Sequence, residues 1–136
     1  MRKGVVAMKT IVSDIHWGDI VMCDFGAAYG CEQGGLRPAL VVQNDVGNKH
    51  SPTIIVCPIT SSKSKKPLPT HIKITPAETG IKVESTILFE AIRCVDKKRI
   101  KNEQGEIVKV GQVNESIRKN IQKVLTINFQ MCYNNT

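Results

Sequence analysis

Ile20-Val21-Met22-Cys23-Asp24-Phe25, the connection 26–36 with glycine at positions 26, 30, 34 and 35, and then Arg37-Pro38-Ala39-Leu40-Val41-Val42-Gln43 decide how this chain reads. Both apolar runs are of strand length and too short for core helices, and punctuation residues bound them. Further runs follow at 53–59, 70–74 and 85–95, each rich in Val, Ile or Thr and set apart by Gly, Pro, Asn or Ser. Five such segments in a chain of 136 residues predict an α+β, mainly β fold: a small barrel or strongly bent antiparallel sheet.

Two helical signals interrupt the strands. Pro76-Ala77-Glu78-Thr79-Gly80 reads as a single turn, with proline near its start and glycine at its stop. From Asn114 to about Met131, Ile117, Ile121, Val124, Leu125 and Met131 recur at helical spacing behind a capping asparagine, which predicts a C-terminal helix. Asn102-Glu103-Gln104-Gly105 reads as a hairpin turn between two short strands, and Gly47 to Ser51 as a turn holding His50. Residues 1–16 read as a loosely ordered lead-in, and 17–136 as one domain.

Composition narrows the function. The chain carries 19 Lys plus Arg against 12 Asp plus Glu, a net charge of +7. Residues 1–62 hold five of each sign, so the whole surplus lies in 63–136, where fourteen basic residues face seven acidic ones. Such a field attracts polyanions or an acidic protein. No apolar run approaches the roughly 18 residues that span a bilayer, and the start lacks the apolar core of a secretory signal, so the expected location is the cytoplasm and no membrane partner is expected. The five cysteines form no C-x-x-C pair and are odd in number, which argues against a zinc site and a complete disulfide framework. The three histidines show no metal-ligand spacing, and no cofactor or metal is expected.

The connection 26–36 is longer than the two to five residues usual for hairpins, and its glycines leave two readings open: a phosphate cradle or a plain surface connection. Arg37 sits at the mouth of a buried strand, where it suits bidentate phosphate binding or a routine salt bridge. Thr60, Ser61 and Ser62 close another strand, as phosphate ligands or as a self-satisfied turn. Tyr29 is the one aromatic of that loop placed to stack on a base, in a chain that is only 4% aromatic. Lys63, Lys65 and Lys66 follow Thr60, and Lys97, Lys98, Arg99 and Lys101 form a second basic run; together they read as a track for a nucleic-acid backbone.

Trp17-Gly18-Asp19-Ile20, the stretch from Glu32-Gln33-Gly34-Gly35-Leu36-Arg37-Pro38 to Asn44-Asp45, Ser51-Pro52-Thr53 and Pro58-Ile59-Thr60 resemble, in order, the MazF/PemK family of toxin endoribonucleases. The resemblance implies an SH3-like antiparallel barrel with a C-terminal helix. It also implies a homodimer that cuts single-stranded mRNA at a short sequence without a metal, and a cognate acidic, MazE-like antitoxin. Arg37 and Thr60 match the family's catalytic arginine and hydroxyl residue. Glu32, Gln33, Gly34, Gly35, Ser61 and Ser62 fall in the RNA-facing motifs. Glu90 lies where relatives carry an acidic residue toward RNA, as a candidate base if desolvated or else paired, for instance with Arg93. Ala91 replaces a frequent glutamine.

The chemistry of RNA fits that constellation. The 2′-hydroxyl beside the scissile phosphate is an internal nucleophile, so the protein must align it and stabilise charge on the phosphorane. Free arginine has a pKa above about 12, so Arg37 suits electrostatic stabilisation better than proton donation. The alternative is a non-catalytic SH3-like module that binds nucleic acid or an acidic peptide through the same groove.

Overall fold

The computed structural model describes residues 10–11, 14–63 and 66–131. Eight strands form one curled antiparallel sheet: β1 (Thr10–Ile11), β2 (Asp19–Asp24), β3 (Leu36–Val41), β4 (Thr53–Thr60), β5 (His71–Ile74), β6 (Ser85–Leu88), β7 (Arg93–Asp96) and β8 (Val108–Gln112). The hydrogen-bonded path is β1-β8-β2-β3-β4-β6-β5, with β7 also on β4. The sheet is therefore a half-barrel rather than a closed cylinder. Among the described residues three helices accompany it: α1 (Asp45–His50), α2 (Pro76–Thr79) and α3 (Glu115–Asn128). Among the described residues no helix is long and apolar enough to cross a membrane.

The central strands read as unbroken apolar runs because both their faces are covered. On one face Ile20, Leu40, Cys57 and Ile59 pack with Ile72, Ile74, Ile87 and Phe89 beneath Ile117, Ile121 and Val124 of α3. On the other, Val21, Cys23, Phe25, Ala39, Val41, Ile54 and Val56 meet Val95 and Ile100. Alternate residues of β2, β3 and β4 thus enter different cores, as a period of two requires. Asn114 caps α3 by accepting from Ile117 N–H at 2.9 Å. Thr75 and Glu78 close a reciprocal capping box on α2, and Gly80 ends it at φ +86°.

Four expectations change. The run 85–95 is not one strand: a 3₁₀ turn at Phe89–Ala91 divides it, and the register on β4 shifts by three residues between β6 and β7. The 47–51 turn is the end of α1, so His50 is its last helical residue; Gly47 and Asn48 look like turn formers. Asn44 caps that helix on Gly47 N–H, and Lys97 Nζ donates to the carbonyls of Gly47 and Asn48 at its end. Asn102 to Gly105 is a tight turn organised by the Asn102 carboxamide, but Lys97–Arg99 before it forms a 3₁₀ turn, so only β8 flanks it as a strand. Within the lead-in, Thr10–Ile11 pairs with β8 and Ile15 packs on the second core; residues 1–9 lie outside the described residues.

Candidate active site

The site forms where β3 and β4 part. Their ladder ends at the Ala39–Pro58 pair, and β4 then turns to β6 through Ile59–Ile87 and Thr60–Thr86. Pro38 and Pro58 have no N–H to donate, so the two strands lack ladder donors at the level where they separate. A cleft of about 510 Å³ opens there, lined by Arg37, Pro38, Thr60, Ser61, Ser62 and Lys82 among others. Arg37 and Thr60, distant in sequence, therefore share one cleft.

Arg37 is half-buried and held by neutral groups. Its Nε donates to Gly34 O and its Nη1 to Gln33 Oε1, both at 2.9 Å. No Asp or Glu pairs with it among the described residues, so the expectation of a routine salt bridge does not hold. Three of its five N–H groups lie beyond these two bonds. Thr60 is 7% exposed. Its Oγ1 accepts from Ser62 N–H at 3.1 Å, which leaves the hydroxyl proton for another acceptor.

The glycine loop is ordered from within. Gly26 N–H donates to Asp24 Oδ1 and Gly35 N–H to Gly26 O, so these two amides are engaged and do not serve as anion donors. Gly34 is required sterically: an added Cβ would lie 2.7 Å from Ala28 N and 2.9 Å from Gly26 O. Tyr29 is 86% exposed at the tip, and Glu32 Oε1 accepts from Tyr29 N–H at 2.9 Å rather than reaching outward.

Two further clefts adjoin the first. One, of about 500 Å³, shares Thr60, Ser61 and Ser62 and adds Lys63, His71 and Lys73. The other, of about 530 Å³, is lined by Glu32, Gln33, Glu90, Ala91, Ile92 and Arg93 among others. Glu90 thus stands in a different cleft from Arg37 and Thr60, and it pairs with His71 Nε2 and the Thr70 hydroxyl, both at 2.9 Å, instead of Arg93. Arg93 lies 5.6 Å from the Phe25 ring centroid. Burial pushes the Glu90 carboxyl upward, but the bonds from His71, the backbone and Thr70 outweigh it and hold the group below its ordinary range. That direction is wrong for a general base near neutrality.

The basic tracks are also redistributed. Lys97 caps α1, and Arg99 Nη1 donates to Asp24 O at 3.1 Å, so half of the second run supports the fold. Lys63 lines the second cleft and Lys66 is exposed, whereas Lys65 lies outside the described residues. His71, Lys73 and Lys82 were not among the expected site residues. The alternation His71-Ile72-Lys73-Ile74, with the isoleucines in the core, already places His71 and Lys73 together on the opposite face. Among the described residues no group of three or more His, Cys, Asp or Glu is placed to hold a metal ion.

Comparison with known proteins adds an independent finding. The family model described as PemK-like, MazF-like toxin of type II toxin-antitoxin system matches residues 16–129. Endoribonuclease MazF of Staphylococcus epidermidis is 46% identical over 87 residues, 64% of this chain and 72% of its own length. The crystal structure of MazF (Form-I) from Deinococcus radiodurans superposes with a TM-score of 0.71 at 22% identity, over 88% of this chain and 100% of that one. A mycobacterial endoribonuclease in complex with its cognate antitoxin gives 0.67 at 18% identity, over 88% and 99%. At such identities the two structures share the fold of this chain.

Proposed function

Because the chain belongs to the PemK-like, MazF-like toxins of type II toxin-antitoxin systems, we propose that it is a metal-independent endoribonuclease that cuts single-stranded mRNA and thereby arrests translation and growth. The carrying observation is the Arg37 guanidinium, anchored by two neutral oxygens and unpaired with any carboxylate among the described residues, in one cleft with the Thr60 hydroxyl.

The reaction is a transesterification. The ribose 2′-hydroxyl gives up its proton as its oxygen bonds to the adjacent phosphorus, the bond from phosphorus to the 5′-oxygen breaks and that oxygen takes up a proton, so the products are a 2′,3′-cyclic phosphate and a 5′-hydroxyl with no net gain or loss of protons. Arg37 neutralises charge on the equatorial oxygens as the phosphorane forms, and its anchoring means little reorganisation accompanies that step. Thr60 donates its hydroxyl proton to a phosphate oxygen and fixes the in-line geometry. Ser61, Ser62, Lys63 and Lys66 guide the backbone, and Tyr29 stacks on a base. Glu90 is not the base in this scheme: it lines a different cleft from Arg37 and Thr60, and a carboxylate held below its ordinary range is a weak proton acceptor.

An acidic antitoxin segment fits the same basic clefts and excludes RNA. We read the protein as a cytoplasmic homodimer, following the family. Incubating it with long single-stranded RNA in EDTA tests the reading. Discrete fragments are expected, and a strand with 2′-deoxy sugars at the mapped sites should stay intact. Intact RNA with salt-sensitive retention would instead favour a non-catalytic binding module.

A further inference from the structure

Arg99 takes no part in the proposed chemistry, yet it sits against the base of the loop that carries both anchors of Arg37. The Lys97–Arg99 turn leads directly into Ile100, which is buried in the second core, so the end of that turn is fixed. From there the half-buried guanidinium reaches a distant part of the chain: Nη1 donates to Asp24 O at 3.1 Å. Gly26 rests on the same group, since an added Cβ there would lie 3.0 Å from Arg99 Nη1. Among the described residues no Asp or Glu forms an ion pair with Arg99, so a backbone carbonyl is its acceptor.

A short series of bonds joins that contact to the cleft. Asp24 Oδ1 accepts from Gly26 N–H at 2.9 Å, Gly26 O from Gly35 N–H at 2.7 Å, and Gly35 O from Phe25 N–H at 3.0 Å. These bonds fasten the two ends of the loop to each other, and Gly34 O, one residue on, holds Arg37 Nε at 2.9 Å. The ladder between β2 and β3 stops at Asp24–Leu36, and Gly26 and Gly35 beyond it stand at φ +74° and +82°. Support from outside the loop therefore has to come from another element, and a charge-assisted bond is the stronger kind. We infer that Arg99 is a positioning residue for cleavage: it fixes the loop base at Asp24 and Gly26, and through Gly34 it sets where Arg37 meets the phosphate. The inference rests on the endoribonuclease reading and moves this one residue from the RNA track to a place behind the reacting arginine.

The test is single-turnover cleavage of one RNA site over a range of enzyme concentrations, with urea melts to confirm that each variant is folded. It compares the wild type with Arg99→Met, Arg99→Lys, Arg37→Ala and the double variant Arg37→Ala with Arg99→Met. Arg99→Met keeps the apolar stem and removes the guanidinium, whereas Arg99→Lys returns one N–H donor toward Asp24 O. Arg99→Met should slow the saturated rate about tenfold and leave the half-saturating concentration within about twofold, and Arg99→Lys should recover most of the loss. In the Arg37→Ala background Arg99→Met should cost no more than about twofold further, because a residue that acts only through Arg37 has nothing left to position. A saturated rate at the wild-type level overturns the assignment, and a raised half-saturating concentration with it returns Arg99 to the RNA track. A tenfold loss that persists without Arg37 overturns it equally. Should Arg99→Met fail to fold, Arg99→Gln, whose amide stops short of Asp24 O, reads the same cycle; if neither folds, Arg99 serves stability and the assignment falls. A wild type that cuts nothing refutes the nuclease reading itself, an outcome distinct from a cutting enzyme that Arg99→Met leaves unchanged.

Discussion

Replacing Gln33 separates the placement of Arg37 from its charge. Gln33 supplies one of the two bonds that hold the guanidinium, at 2.9 Å, and Gly34 O supplies the other. A bond from a neutral acceptor to a charged group is worth roughly 1.5–3 kcal/mol, and partial exposure favours the lower end because water replaces part of it. Losing about 1.5 kcal/mol of placement in Gln33→Ala should slow single-turnover cleavage about tenfold, since each 1.36 kcal/mol is a factor of ten. Gln33→Glu keeps an acceptor at the same reach but sets a carboxylate against Arg37. It should slow cleavage more, on the order of a hundredfold, because charge stabilisation of the phosphorane is worth about that much. Neither change touches a core cluster, so urea midpoints should fall by no more than the loss of that one bond accounts for. A fluorogenic RNA assay under single-turnover conditions reads both rates. If Gln33→Glu cleaves as fast as the wild type, the uncompensated charge of Arg37 is not what drives the reaction.

Three other outcomes follow from the geometry. Gly34→Ala should impair cleavage far more than stability, because its Cβ would meet Ala28 N at 2.7 Å and displace the carbonyl that holds Arg37; activity and thermal melting measured together check this. Glu90 is held below its ordinary 4.5, so its ionised form stabilises the fold above that pH, and the contribution is lost as pH falls through the depressed folded value. Melting temperatures of wild type and Glu90→Gln should therefore differ at neutral pH, draw together as pH falls below 4.5, and converge once pH is under the depressed folded value; a gap that persists in strong acid contradicts the assignment. Burial pushes the Cys23 thiol up to about 12 and raises Cys57 as well, whereas Cys31 and Cys94 are exposed. Alkylation at pH 8 followed by peptide mass mapping should mark Cys31 and Cys94 in the native protein, and Cys23 and Cys57 only after unfolding.

Much of the scaffold is legible in the chain because its signals are local. The apolar runs of β2, β3 and β4, the Asn114 cap and the Pro76 to Gly80 turn each announce themselves within a few residues. What escapes the sequence depends on contacts across it. Helix α1 has Gly47 and Asn48 in its middle and is sustained by Lys97, about fifty positions away. The break at Phe89–Ala91 arises where Phe89 enters the core beneath α3 and the ladder on β4 changes register. For the site, the motif around Arg37 is visible in sequence, but its clamp by Gln33 and Gly34 depends on how the loop folds. The Glu90–His71 pair joins residues nineteen apart, so the partner of a carboxylate that reads as paired with Arg93 or free turns out to be a histidine on β5.

Arg37 carries the proposed chemistry, and its substitution is the most direct measurement. Single-turnover cleavage of one mapped RNA site, in EDTA and with end-group analysis, should give a 2′,3′-cyclic phosphate for the wild type and a rate at least about a hundredfold lower for Arg37→Ala. Arg37→Lys should recover little, since one ammonium cannot hold Gly34 O and Gln33 Oε1 and still present a fork to the phosphate. An Arg37→Ala protein that cleaves at the wild-type rate, with the same ends, would contradict the account.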